Sequence, residues 1–323
     1  MALIRSCALN TSMDSPEHAR IAEELGYTRA WFYDSPAICA DVWMQLALAA
    51  ERTEHIGLGT GVLVPALRHP MVTATAIANL VALAGSDRVT IGVGTGFTGR
   101  LTLGQRPSKW SDVAAYVDVV KRLLRGELVD WEGAKITMMH YPGFAGDRPI
   151  EVPFVAAAMG PKGLAVARDH ADGVFTVPDP VAGFDWCVNL TLGTVLDEGE
   201  ESGSDRAIAA AGHAASLWLH FAMEFDKLDM VPGGERWAAA YDGIPEDVRH
   251  IELHEGHLWA VNERDRPFVT GEVLAASGAA MSVAGWRERL AQLEEAGATE
   301  IAYQPAGPDV PRELETFAKA MDG

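Results

Sequence analysis

Cysteine is scarce in this chain. Its 323 residues hold three, Cys7, Cys39 and Cys187. They are too few and too widely spaced for a disulfide framework, and such usage points to a reducing compartment. Basic residues are in deficit: 26 Lys and Arg stand against 45 Asp and Glu, a formal net charge of −19. That balance argues against nucleic acid or an anionic membrane as partner and reads as a solubilising surface. A phosphate ligand stays possible, because backbone N–H groups can hold one locally. No apolar run is long enough to span a bilayer, and the opening MALIRSCALN is interrupted by Arg5 and too short for a secretory signal. A cytoplasmic protein is the expectation. The GxSxG of a nucleophile elbow and the HExxH of a zinc protease are both missing. No shift in composition marks a second domain.

What is present is organised around residues 56–70, IGLGTGVLVPALRHP. The stretch reads as a strand over 56–62 with Gly57, Gly59 and Gly61 on one side. A strand face without side chains suits either tight packing inside a barrel or the approach of something flat to the backbone. The second reading is favoured, because glycine-rich exits recur at other strand ends. A helix follows from Pro70.

That strand–exit–helix unit repeats. Alternation and helical periodicity predict strands over residues 2–9, 28–33, 56–62, 88–94, 152–157, 172–177, 214–223 and 300–304. Helices are predicted over 16–25, capped by Ser15 and stopped by Gly26, and over 42–52, 70–85, 111–125, 163–170, 184–199, 283–296 and 311–321. Residues 95–107 read as an irregular glycine-rich loop. Strands alternating with helices imply a parallel sheet, and eight such units imply a closed α/β fold, a (β/α)8 TIM barrel. One domain spans 1–323, with insertions at about 126–150, a short hairpin with a long loop, and about 224–267.

In such barrels the active site lies at the C-terminal ends of the strands. Here those ends carry Asp34 and Ser35, then Thr60, Gly61 and Val62, then Gly94, Thr95 and Gly96, then Ala157, Ala158, Met159, Gly160 and Pro161, then Thr176, and last Gln304 to Gly307. Most are small. They describe a pocket lined by backbone, able to admit a large planar ligand, and they do not describe a metal cage. The run from Gly94 to Gly99 matches GxGxxG formally, but a dinucleotide site needs a helix directly after the glycines, and the expected helix starts near Ser111. Met159-Gly160-Pro161-Lys162 is a better anion site: proline suits the first helical position, and the helix start presents free N–H groups. An ordinary strand-to-helix turn reads equally well. HIELHEGH at 250–257 holds three histidines without a metal-binding spacing and reads as a solvated helix end.

Five stretches together resemble one family: AEELGYTRAWFYDSP, LALAAERTEHIGLGTGVLVPALRHP, DRVTIGVGTGFTGRLTLGQRP, YVDVVKRLLRGE and VPFVAAAMGPKGLAVARDHADGVF. The sequence resembles the luciferase-like flavin and deazaflavin oxidoreductases, closest to the methylene-tetrahydromethanopterin reductase branch. The likeness covers Asp14 to about Val177 and returns over the last forty or so residues, while 224–267 matches poorly. It implies that Asp34 sits beside a deazaflavin headgroup, with Ser35 next to it as the second catalytic candidate. It implies that Gly61-Val62 forms a bulge against the flavin, often through a cis peptide. Thr60, Gly94, Thr95 and Gly96 belong to the same cofactor wall. Ala157, Ala158, Met159, Gly160 and Pro161 would hold the phosphate, with Thr176 near it. Homodimerisation through the N-terminal half is also implied.

Two departures bear on the reaction. Sugar-phosphate dehydrogenases of the family carry histidine where this chain has Ser35, and glutamate where it has Phe97. The obvious acid and base for alcohol oxidation are thereby absent. A reductase needs mainly the orientation of a hydride donor against an electrophilic carbon and is less affected. The resulting expectation is hydride transfer between coenzyme F420 and a small organic substrate. The alternatives are a two-component monooxygenase using reduced FMN and oxygen, and a flavin-binding barrel without catalysis.

Overall fold

A computed structural model describes residues 3–231 and 233–322. In chain order the main elements are β1 (Ile4–Leu9), α1 (Ser15–Glu24), β2 (Arg29–Phe32), α2 (Val42–Arg52), β3 (Gly57–Leu63), α3 (Pro70–Ala84), β4 (Val89–Val93), α4 (Phe97–Leu101) and α5 (Trp110–Leu124). There follow β5 (Phe154–Ala157), α6 (Pro161–His170), β6 (Gly173–Thr176), β7 (Cys187–Leu192), α7 (Asp205–Glu224), α8 (Gly234–Ala239), α9 (Arg249–Leu253), α10 (Gly271–Ala276), α11 (Val283–Glu295), β8 (Glu300–Gln304) and α12 (Val310–Met321). The eight strands β1–β8 pair in parallel, each with its sequence neighbour, and β8 closes on β1. This is the (β/α)8 barrel expected. Ala2, expected to open the first strand, lies outside the described residues.

The helices carry their apolar residues on one face and lay it on the barrel. On α5, Val113, Tyr116, Val117, Val120, Leu123 and Leu124 are buried, the spacing of a helix half sunk in a core. Side chains cap several starts: Asp41 accepts from the Met44 N–H, Ser204 from Ala207, Ser282 from Gly285 and Asp309 from Arg312. Ser15 is not the cap expected of it. It lies inside α1, and its hydroxyl accepts from the Ser12 N–H.

Inside the barrel, Trp31 is fully buried and stands edge-on to Phe175 at 5.3 Å. Its Nε1 donates to Glu300 Oε1 at 3.0 Å, and Trp186 and Arg29 bind the other oxygen, Oε2. That buried carboxylate network pins β2, β8 and the approach to β7 at the end where β2 and β8 begin.

Three sequence expectations fail here. The seventh strand is not 214–223, which lies inside the twenty-residue α7. Seven alanines along α7 favour helix, and an apolar run buried nearly all round has no readable period. The seventh strand is instead Cys187–Leu192, within the expected helix 184–199; in CVNLTL the apolar Val188, Leu190 and Leu192 alternate with Asn189 and Thr191, the period of a strand. Residues 95–107 are not wholly irregular, since α4 starts directly after Gly96. The first insertion does hold the expected hairpin, Val129–Trp131 against Ala134–Ile136. Among the described residues no helix is long and apolar enough to cross a membrane.

Candidate active site

The strand ends converge on a cleft of about 330 Å³. β3 shapes one side of it. Its register against β4 shifts between Thr60 and Leu63, and the Gly61–Val62 peptide is cis. The glycines of this strand answer mainly to packing. A Cβ on Gly59 would stand 2.8 Å from Trp31 Cε3, and one on Gly61 would stand 2.8 Å from Trp31 Cβ. Gly59 is therefore bare to admit the Trp31 indole and Gly61 to pass the root of that side chain, while Gly57 lies against Thr28 and Arg29; of the three only Gly61, at the top, also reaches the cleft.

Of the residues singled out in the sequence, Asp34, Ser35, Gly61, Val62, Gly94, Thr95, Gly96, Ala157, Met159, Gly160 and Thr176 line the cleft together. Three are not on its lining. Thr60 is fully buried and donates to the Gly92 carbonyl at 2.7 Å, so its hydroxyl serves the barrel wall. Ala158 gives its N–H to the Phe175 carbonyl, and Pro161 is the first residue of α6. No side chain caps α6, and Gly160 faces open space, with nothing within 4 Å of an added Cβ.

Asp34 is buried, and its Oδ2 is taken: the Val64 N–H donates to it at 3.0 Å and Arg68 Nη1 at 2.6 Å. The carboxylate thus clamps the end of β2 to the chain leaving β3. It caps no helix. Oδ1 has no protein hydrogen bond among the described residues.

Sequence reading missed the opposite wall. Phe97 on α4 packs against Phe221 and Phe225 at 5.2 and 6.2 Å, and Leu217 and Leu258 close the barrel mouth beside them. Tyr33 and Gln304 hold this lid: Tyr33 Oη donates to Gln304 Oε1, and Gln304 Nε2 donates to the Leu258 carbonyl at 2.6 Å. The wall is apolar and aromatic, and it comes from segments more than a hundred residues apart in the chain.

The 250–257 stretch is not the solvated end expected. His254 and His257 are buried and pack with His220 of α7. Burial pushes His254 down to about 4, and it holds His257 well below the usual imidazole range. His213, one to two turns earlier on α7, is 1% exposed, and neither ring nitrogen has a partner among the described residues. Its pKa is pushed down to about 4 by burial alone. A base with a lowered folded pKa stabilises the fold above its unfolded value and loses that contribution as pH falls. Stability should therefore drop between about pH 6.5 and pH 4. His213→Leu should flatten that slope, since the shift corresponds to roughly 3 kcal/mol at its acid limit. Thermal melts of both proteins at several pH values read it directly, and coincident profiles would refute it.

Comparison with known proteins adds the lineage. Residues 11–300 match the family described as luciferase-like monooxygenase. The chain belongs to that family. A 5,10-methylenetetrahydromethanopterin reductase from Archaeoglobus fulgidus is 25% identical to this luciferase-like chain over 333 residues, 94% of the chain and 93% of that protein. An F420-dependent glucose-6-phosphate dehydrogenase from Microbacterium testaceum is 33% identical over 172 residues, 49% of this chain and 50% of that protein. The solved coenzyme F420-dependent tetrahydromethanopterin reductase from Methanopyrus kandleri superposes with a TM-score of 0.66 over 99% of this chain and 98% of that one, at 19% identity, a likeness of fold. As a member of the luciferase-like family with these relatives, the chain is an oxidoreductase.

Proposed function

We propose that the protein is an F420-dependent oxidoreductase that moves a hydride between the deazaflavin and a small organic substrate. The observation that carries the reading is a cleft whose one wall is backbone and small residues and whose other wall is aromatic. Such a slot fits a planar ring system, and its volume lies within the ordinary range for ligand sites. Gly61, Val62, Gly94, Thr95 and Gly96 would hold the ring. Met159, Gly160 and the uncapped start of α6 would hold phosphate. Asp34 Oδ1 is free to accept from the headgroup. When bound, the cofactor supplies the hydride at its C5. The protein's part would be to orient the substrate against it on the apolar wall that Phe97, Phe221, Phe225 and Leu258 provide.

A second reading has support in the family's monooxygenases: reduced FMN and oxygen in the same cleft. Titration of the purified protein with F420 and with FMN separates the two. F420 is expected to bind more tightly. Equal or stronger FMN binding, or FMN retained through purification, would give preference to the monooxygenase.

A further inference from the structure

A line of buried polar side chains runs from the 224–267 segment to the wall of the cleft, and orientation of a hydride donor makes no use of it. It begins at Asp265, 2% exposed, whose Oδ1 accepts from Trp237 Nε1 at 2.7 Å and Tyr241 Oη at 2.8 Å. Its Oδ2 faces His220 Nε2 at 3.7 Å. His220 Nδ1 stands 2.9 Å from His257 Nδ1. His257 Nε2 stands 3.4 Å from Thr98 Oγ1, and Thr98, on α4, lines the cleft. Both imidazoles are 5% exposed.

Proton positions follow from valence. Two Nδ1 atoms 2.9 Å apart bond only if one carries a hydrogen and the other does not. The Asp265 carboxylate favours a hydrogen on the nitrogen of His220 that faces it. His220 Nδ1 is then bare and accepts from His257 Nδ1–H. That leaves His257 Nε2 bare toward the Thr98 hydroxyl. The other titratable groups about the pair are His254, edge-on to both rings, and His213, while Tyr241 reaches Asp265. His254 Nδ1 lies 2.7 Å from the His250 carbonyl and is engaged there; Arg264 lies over the Tyr241 ring.

We propose that Asp265, His220 and His257 form a proton relay that opens onto the cleft at the Thr98 hydroxyl. A proton released in the cleft passes to Thr98 Oγ1 as the Thr98 proton moves to His257 Nε2. The His257 Nδ1 proton then moves to His220 Nδ1, and the positive charge comes to rest on His220 against Asp265. One proton enters, each transfer breaks one bond and makes one, and no electrons move. Run in reverse, the relay delivers a proton. On the oxidoreductase reading above, this serves substrates in which hydride transfer at carbon is matched by proton transfer at an attached heteroatom, the alcohol–carbonyl or amine–imine pair.

The test uses free protein labelled with 15N-histidine and read by long-range 1H–15N correlation, with rings assigned through His220→Gln and His257→Gln. At neutral pH His220 is expected as the Nε2–H tautomer and His257 as the Nδ1–H tautomer. On acidification a single step should turn His220 into imidazolium and flip His257 to Nε2–H together. Asp265→Asn should move that step at least one pH unit lower. Thr98→Val should shift the His257 Nε2 resonance, and Thr98→Ser should restore it. His257 found as Nε2–H at neutral pH, independent titration of the two rings, or an unmoved step in Asp265→Asn would each overturn the relay. Because no cofactor is present, failure of F420 to bind removes the hydride reading and leaves these outcomes to decide the relay separately.

Discussion

Replacing Asp34 by alanine is expected to destabilise the protein by about 3–5 kcal/mol and to lower Tm by several degrees, because it leaves a nearly buried guanidinium without its partner. The Arg68 side chain is 13% exposed, and the Asp34 side chain is 1% exposed. Their 2.6 Å contact is joined by the Val64 N–H, so the substitution also strands a buried donor. Arg68 keeps only a 3.4 Å approach to the half-exposed Asp41. If the loss arises from the stranded charge, the double variant Asp34→Asn with Arg68→Met should recover most of the stability, since it retains an acceptor for Val64 and removes the cation. Calorimetry of the wild type and the variants measures this. An Asp34→Ala protein that melts within a degree of the wild type would show that Asp41 and water satisfy Arg68. The Asp34→Asn single variant then isolates the part played by charge at the cleft, through its affinity for F420.

Gly160→Ile should leave the fold intact and weaken F420 binding tenfold or more, about 1.4 kcal/mol at the least. The backbone at Gly160 has φ −96° and ψ 163°, a conformation open to any residue, and an added Cβ meets nothing within 4 Å. The new side chain would extend into the cleft ahead of the free N–H groups of α6. Calorimetric titration with F420, alongside a melt to establish folding, decides the matter. Wild-type affinity in a folded variant would remove the start of α6 from the binding site.

The barrel was legible because most of its strands are short β-rich runs bounded by glycine and proline. Asp34, Gly61 and Gly94 could be placed at one mouth from strand order alone, since parallel barrel strands all end on the same side. Two kinds of feature were hidden. The first is the identity of an apolar run with no polar face: residues 214–223 look the same as strand or helix until their neighbours are known. The second is any contact that depends on distant segments. His220 and His257 are 37 residues apart, and Thr98 and His257 are 159 apart. Phe97 was weighed only as a missing glutamate, although it is one side of an aromatic wall whose other side lies on α7.

The pairing of Trp31 with the bare face of β3 sets a constraint on descent. The Trp31 ring occupies the volume that Gly59 leaves empty, its Cβ lies against Gly61, and the indole carries the edge of Phe175 and the bond to Glu300 with it. Neither partner can change size alone: a methyl at Gly59 collides with the ring, and a smaller residue at 31 opens a cavity in the centre of the barrel. Related chains that carry a larger residue at the equivalent of Gly59 should therefore carry a smaller one at the equivalent of Trp31, with the summed volume conserved. The floor beneath the cleft is inherited as a block, while the aromatic wall above it is free to diverge.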